Sequence, residues 1–476
     1  MNLLTHSKYG RIRLRLSLTL VFLIGFFACK QANTAVLQGE HQWIHDPSQI
    51  VKCNGKYFVY YTGDNLPMRY STDLTTWKTG KSVFDKVPDW VRQSVPLAKS
   101  DFVWAPDIIF LNNRYYLYYS FSTFGSKVSL IGLVTNPTLD PESPNYKWKD
   151  EGLVYSSNKD TPYNAIDPAL TFDDRGDLWM SFGSWSREGL HLVKLDKTSG
   201  KPSGPLQLIS APNREGPEAP YIYSRNGYYY LFFNDGFCCR GMNSTYRIII
   251  GRAKSITGPY LDKAGKELAK GGGTLFLGSD GVEIGPGHIG ILSEMGVDRF
   301  SFHYYDSRSN GVPTLGLQTL TWDANGWPSP AKDLEPGRYA IISKASGLAL
   351  GVRDLSSKEG TPVDQFALNF SAFQSWNVSL VGDGYFSIGS LATGHYFDLF
   401  ECSAKDATPI TLYPWFGNEC QRWRIEPTSD GYHRIVSKST GNVLTLPTDD
   451  KTPRAVMQSF AWNNKDGQKW VFQKLP

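Results

Sequence analysis

Four side chains set the chemistry open to this chain. Asp46, Asp167, Glu218 and His288 each stand beside proline or glycine, in His45-Asp46-Pro47, Ile166-Asp167-Pro168-Ala169, Glu215-Gly216-Pro217-Glu218-Ala219-Pro220 and Gly285-Pro286-Gly287-His288. Asp107 closes a fifth such string, Trp104-Ala105-Pro106-Asp107. One Asp-Pro does no more than start a strand or a turn. A matched series is different. Three carboxylates crowded into a partly dry pocket push their pKa values apart, so that one can give a proton while another takes one.

The series belongs to a repeat. Each polar head is followed by a few apolar residues, a tight turn and an aromatic strand. Asn54-Gly55-Lys56 leads into Tyr57–Tyr61, Asn112-Asn113-Arg114 into Tyr115–Tyr119, and Arg175-Gly176-Asp177 into Leu178–Phe182. Arg225-Asn226-Gly227 then leads into Tyr228–Phe233, and Val297-Asp298-Arg299 into Phe300–Tyr305. With heads at 46, 107, 167, 218 and 288 the steps are 61, 60, 51 and 70 residues. One hairpin unit cannot bury both of its faces, but five packed radially can, which predicts a five-bladed β-propeller. The first strand of each blade lines the channel, so the five heads should meet at one end of the axis.

Composition agrees with an all-β chain. Of 476 residues, 41% are hydrophobic, 14% aromatic and only 20% charged, with 45 Gly and 28 Pro. Coiled coils, helical bundles and disordered chains need more charge and fewer turn residues. Aromatic rings with modest charge suit sugar binding, because rings stack on apolar sugar faces. The net charge of +4 comes from Lys8, Arg11, Arg13 and Arg15; without them 45 basic residues face 45 acidic ones, and no nucleic acid is implied.

Those four basic residues precede the apolar run Leu16–Ala28, too short to span a bilayer. Residues 1–28 therefore read as a secretory signal. Phe26-Phe27-Ala28-Cys29 resembles a bacterial lipobox, which implies cleavage before Cys29, lipidation of its thiol and a membrane-anchored, extracytoplasmic protein at the periplasm or cell surface. An ordinary signal with an incidental cysteine is the other reading. An oxidising compartment permits disulfides. Cys402 and Cys420 are spaced to pair, adjacent Cys238 and Cys239 form only a strained bridge, and Cys53 reads as a buried strand residue. No zinc spacing or redox CxxC occurs.

Residues 39–332 resemble glycoside hydrolase family 43 in the strings around Asp46, Asp107, Asp167 and Glu218. They are most similar to arabinanases in Cys238-Cys239-Arg240-Gly241, Ser244–Ile248, Gly251–Tyr260 and Gly285–His288. The resemblance implies inverting hydrolysis of α-1,5-L-arabinofuranosides in arabinan. Asp46 would be the general base, Glu218 the general acid, and Asp167 the residue that orients Glu218 and raises its pKa. An inverting site holds its two carboxyls about 6.5–9.5 Å apart, with water between. The resemblance also implies one calcium ion in the channel, held mostly by water and met by His288. Without it, His288 is a channel histidine bonded to water or a carboxylate. Trp104, Phe124 and Trp185 would be stacking platforms, though each aromatic could equally be core. Gly125, Asn164 and Ser184 fall in loops similar to arabinanase substrate-binding segments, and Asp107 would bind sugar hydroxyls or support the site. The alternatives are a surface glycan-binding protein without catalysis and a family 43 enzyme acting on xylosides or galactan.

Beyond a Pro-rich linker after Trp327, a second repeat begins. Gln374-Ser375-Trp376, Gln421-Arg422-Trp423 and Gln468-Lys469-Trp470 are spaced 47 and 47, as are Ser346-Gly347, Thr393-Gly394 and Thr440-Gly441. Three β-rich units predict a β-trefoil over 336–476, with the three tryptophans in its core. The region resembles the ricin-type lectin domain, in which an early Asp and a later aromatic hold a sugar. The early position is Gly351, Asp398 and Thr445 in turn, so the resemblance implies at most one such site, at Asp398 with Tyr413 or Trp415.

Overall fold

The computed structural model describes residues 37–476 apart from 186–188, 211–215, 332–333, 383 and 448–451. The signal segment and Cys29 lie outside the described residues. Among those described, no helix is long and apolar enough to cross a membrane.

Among the described residues five sheets follow one another in sequence, antiparallel but for one short pairing at the outer edge of the first. Their innermost long strands are Val51–Cys53, Phe102–Leu111, Ala169–Phe172, Glu218–Arg225 and Glu283–Glu294 in blades I to V. The second strands, Lys56–Tyr60, Arg114–Phe121, Leu178–Phe182, Tyr228–Asp235 and Val297–Asp306, are the aromatic runs read from the sequence. Alternation explains why they are apolar on both sides. In blade II, Tyr115, Leu117 and Tyr119 pack towards blade I, against Phe58, Tyr60 and Met68. Tyr116 and Tyr118 on the other face pack against Leu170, Leu178 and Met180 of blade III. Leu231 and Phe233 continue the ring against Trp179 and Leu190, and Phe232 and Ile250 meet Ile289 and Phe300 of blade V. Leu315 and Leu317 of blade V finally pack on Ile44, Val59 and Trp77, which closes the circle onto blade I.

The N-terminal segment locks that closure. Gln38–Gly39 pairs in parallel with Thr76–Thr79 at the outer edge of blade I. A few residues on, Ile44 N–H donates to Pro313 O of blade V at 3.1 Å.

Each head carries a left-handed residue: Asp46 (φ 47°), Ala105 (39°), Asp167 (58°), Ala219 (51°) and His288 (60°). Register shifts in the adjoining ladders mark bulges at Trp104/Asp107, Glu218/Tyr221 and Gly287/Gly290. Such kinks re-aim side chains at the rim of a sheet. They also correct the register read from the sequence. Blade II matches Asp46 at Ala105, not Asp107, and blade IV matches it at Ala219, not Glu218.

The described residues between 337 and 476 form one threefold barrel. Trp376, Trp423 and Trp470 are fully buried, and each indole Nε1 donates at 3.2 Å to the carbonyl of Leu350, Phe397 and Leu444 respectively. Gln374 Nε2 donates to Ala367 O and Gln374 Oε1 accepts from Asn369 N–H; Gln421 and Gln468 repeat both bonds. The repeated Gln-x-Trp thus fastens each unit's loop to the core. The barrel docks on the propeller through charged groups. Glu426 lies among Arg299 of blade V and the barrel's own Arg424 and Arg434, and Asp298 N–H donates to Ser429 Oγ.

Candidate active site

The kinks gather Asp46, Asp167, Glu218 and His288 at one end of the channel, all half-buried or buried. Asp46 is held from several blades. Thr62 Oγ1 donates to its Oδ2 at 2.7 Å, and its Oδ1 lies 2.9 Å from His45 Nδ1 and 3.4 Å from His288 Nδ1. His303 also approaches, but its Nδ1 accepts the Asp46 backbone N–H at 3.1 Å, and burial pushes its imidazole well below the usual histidine range. His303 is therefore a neutral support, stacked between His45 and Tyr246. Burial works against the Asp46 charge, yet His45 and His288 hold its carboxyl well below the ordinary range.

Asp167 and Glu218 shift the other way. Burial and the neighbouring Glu218 push Asp167 well above the usual carboxylate range. Burial raises Glu218 too, and Asp46 adds to the rise, against hydrogen bonds from Ser184 and Tyr246. Ser184 Oγ donates to Glu218 Oε2 at 2.6 Å. Asp167 Oδ2 accepts the Ala219 N–H at 3.2 Å, so it grips the kinked residue next to Glu218. The two are coupled, and burial shifts both towards their protonated forms, whereas His45 and His288 favour the ionised form of Asp46. That is the division of labour an acid and a base require.

Asp107 sits below this layer. Its Oδ1 accepts the Gln49 N–H at 3.0 Å, and its Oδ2 accepts the Leu170 N–H at 2.7 Å and the Gln49 amide at 3.1 Å. Burial raises it to about 6. Its bonds join blades I to III beneath the cleft.

Aromatics flank the mouth. Trp104 packs on Phe124, which is 79% exposed, with Gly125 beside it. Trp185, 46% exposed, packs on Phe237. Asn164 is buried and accepts from Ser129 Oγ at 2.8 Å. The sequence reading gave no role to His45, Thr62, Tyr246, His303 or Tyr305. Their alternation in Phe300–Tyr305 places Ser301, His303 and Tyr305 on one face, a signal that period-two patterning contained.

These findings match what is known of other proteins. Residues 35–328 match the model of the glycosyl hydrolases family 43. The chain belongs to glycosyl hydrolase family 43. It is a glycoside hydrolase. The extracellular endo-α-(1→5)-L-arabinanase 1 of Bacillus subtilis is 42% identical over 311 residues, 64% of this chain and 93% of that protein. The extracellular exo-α-(1→5)-L-arabinofuranosidase ArbA of Cellvibrio japonicus is 37% identical over 301 residues, 60% of this chain and 85% of its own. The structure of Cellvibrio cellulosa α-L-arabinanase complexed with arabinohexaose superposes with TM-score 0.58 at 36% identity, covering 60% of this chain and 95% of that one. The ricin-type β-trefoil lectin model matches residues 318–413, 372–460 and 419–475.

Asp46, Asp107 and Asp167 all act on the His288 imidazole, which Asp46 raises against burial. Asp46 Oδ1 lies 3.4 Å from His288 Nδ1, and a hydrated divalent cation there would find in Asp46 the oxygen ligand it prefers.

In the trefoil, Asp398 is buried and raised by burial to about 6, with Gln421 bonding its carboxylate. Trp415 packs on Tyr396, and Tyr413 on Phe416. A cleft of about 340 Å³ opens in the first unit, where Gly351 supplies no side chain, between Phe366, Asn369, Gln374 and Arg454.

Proposed function

We propose that the protein hydrolyses α-1,5-L-arabinofuranosidic linkages in arabinan with inversion at the anomeric carbon, by endo cleavage as in its Bacillus subtilis relative. The observation that carries this reading is the gathering of Asp46, held by Thr62 and His45, and Glu218, held by Ser184, at one end of the channel, with their carboxyls shifted in opposite directions. Asp46 is the general base: it takes a proton from the attacking water. Glu218 is the general acid: it protonates the leaving oxygen. Asp167 orients Glu218 through the Ala219 N–H, and its buried carboxyl is coupled to that of Glu218. Trp104, Phe124 and Trp185, with Gly125, Asn164, Ser184 and the Asp46 and Asp167 carboxylates, form the sugar-binding surface, and Asp107 braces it.

His288 would meet a largely hydrated calcium ion, whose charge would tune the carboxylates around it. The relatives named extracellular support an extracytoplasmic location, and lipidation at Cys29 would anchor the chain to a membrane. The trefoil would hold a second glycan at Asp398, Tyr413 and Trp415.

The test is product analysis over time on linear α-1,5-arabinan with calcium. Mixed oligosaccharides should appear early. One short product from the start would mean exo action, and binding without release would overturn the catalytic reading.

A further inference from the structure

The loop 236–245 of blade IV reaches the base through its backbone. Cys238 and Cys239 are bonded to each other, and joining adjacent residues closes a small ring around their shared peptide. The Cys239 amide therefore cannot turn freely, and the residue sits in the left-handed region at φ 64°. The loop is tied at its ends. Thr245 N–H donates to Phe237 O and Phe237 N–H to Thr245 Oγ1, both at 3.0 Å, and Arg240 N–H donates to Ser244 Oγ at 3.0 Å.

Cys239 N–H donates to Tyr305 Oη at 2.6 Å. That hydroxyl lies 2.7 Å from His45 Nε2, and His45 Nδ1 lies 2.9 Å from Asp46 Oδ1. A hydroxyl that accepts from an amide gives its own proton to the next acceptor, here His45 Nε2. The remaining imidazole proton then stays on Nδ1, facing Asp46. Outer partners of this kind fix the tautomer and the ring orientation of a histidine that serves another group.

We infer that the linked Cys238–Cys239 pair and Tyr305 form, with His45, a positioning relay that aims the Asp46 carboxylate. This rests on the reading of Asp46 as the base. The relay joins blades IV, V and I, and ring closure brings blade I to the other two.

The test compares Tyr305→Phe, the double variant Cys238→Ser/Cys239→Ser, and the two combined. Each is assayed on a soluble arabino-oligosaccharide and on an aryl arabinofuranoside with a good leaving group. Because the base acts on water whatever departs, kcat should fall by a similar factor on both substrates. Misaimed reacting groups cost on the order of tenfold to a hundredfold, and kcat should fall by more than KM rises, because Asp46 is one of many groups in the sugar-binding surface but the sole base. The combined variant should be no worse than Tyr305→Phe alone, since one relay breaks once. An unchanged kcat in Tyr305→Phe, a loss confined to KM, or losses that multiply independently would overturn the relay. Tyr305→Phe keeps the ring against His45 and His303, so it decides the matter even if the cysteine variant fails to fold. Asp46→Asn separates the two readings. Full turnover there removes the base assignment and the relay with it. No turnover there, beside an unaffected Tyr305→Phe, removes the relay alone.

Discussion

Ser184 Oγ stands 2.6 Å from Glu218 Oε2, and a short bridge pairs the two backbones as well. The hydroxyl thereby steadies the acid and favours its ionised form, opposing the burial that raises it. Ser184→Ala removes a bond that lowers the Glu218 pKa. The alkaline limb of the kcat/KM profile should move to higher pH, while the maximum falls by about fivefold, from the ~1 kcal/mol typical of one hydrogen bond. A pH series on a soluble oligosaccharide checks both.

Asp167→Asn has the opposite sign. It removes the carboxyl coupled to Glu218, so that the proton the pair holds together is no longer shared and the alkaline limb should move towards acid. Activity depends on a protonated Glu218, whose raised pKa keeps it competent below that value and loses it above. A limb that stays in place would separate Asp167 from the titration of Glu218.

Removing the acid and removing the base should look different. Glu218→Ala should keep turnover of aryl arabinofuranosides with good leaving groups far better than turnover of arabinan, because a good leaving group needs no proton. Asp46→Ala should lose both by about 10²–10⁴-fold, the contribution of general base catalysis. Equal losses in the two variants would undo the assignment.

The join between propeller and trefoil should be acid-sensitive. Glu426 is lowered to about 2 from 4.5: burial raises it, but Arg434, Arg424 and Arg299 outweigh that. Its folded pKa is depressed, so its stabilisation is present above about 4.5 and fades as pH falls through about 2. Glu426→Ala leaves the arginines unpaired at a half-buried join and should cost about 1–3 kcal/mol, less than a fully buried pair would. Denaturant melts of wild type and variant across that pH window measure it.

The propeller and trefoil are legible because their signals are local and repeated. The aromatic runs from Tyr57 to Tyr305 and the 47-residue spacing of the tryptophans each carry a period that buried faces require. The exact aim of the heads is less legible. Side-chain type made Asp107 look like a partner of Asp46, but the kink that sets the register in blade II falls on Ala105, and nothing in an alanine announces a left-handed backbone. The Tyr305–His45–Asp46 chain was hidden for another reason. Its members lie on the first and last blades, and only ring closure brings them within hydrogen-bond reach. Pairing of Cys402 with Cys420 was open from spacing, and the structure joins them. It joins Cys238 and Cys239 too, where sequence alone showed only a difficult bridge.

The most direct test of the central claim is the anomeric form of the first product. Arabinan digested in an NMR tube, read before mutarotation, should show new reducing ends in the β configuration, as a water activated by Asp46 on the face opposite Glu218 requires. New ends in the α configuration would mean a covalent intermediate and would contradict the roles given to Asp46 and Glu218.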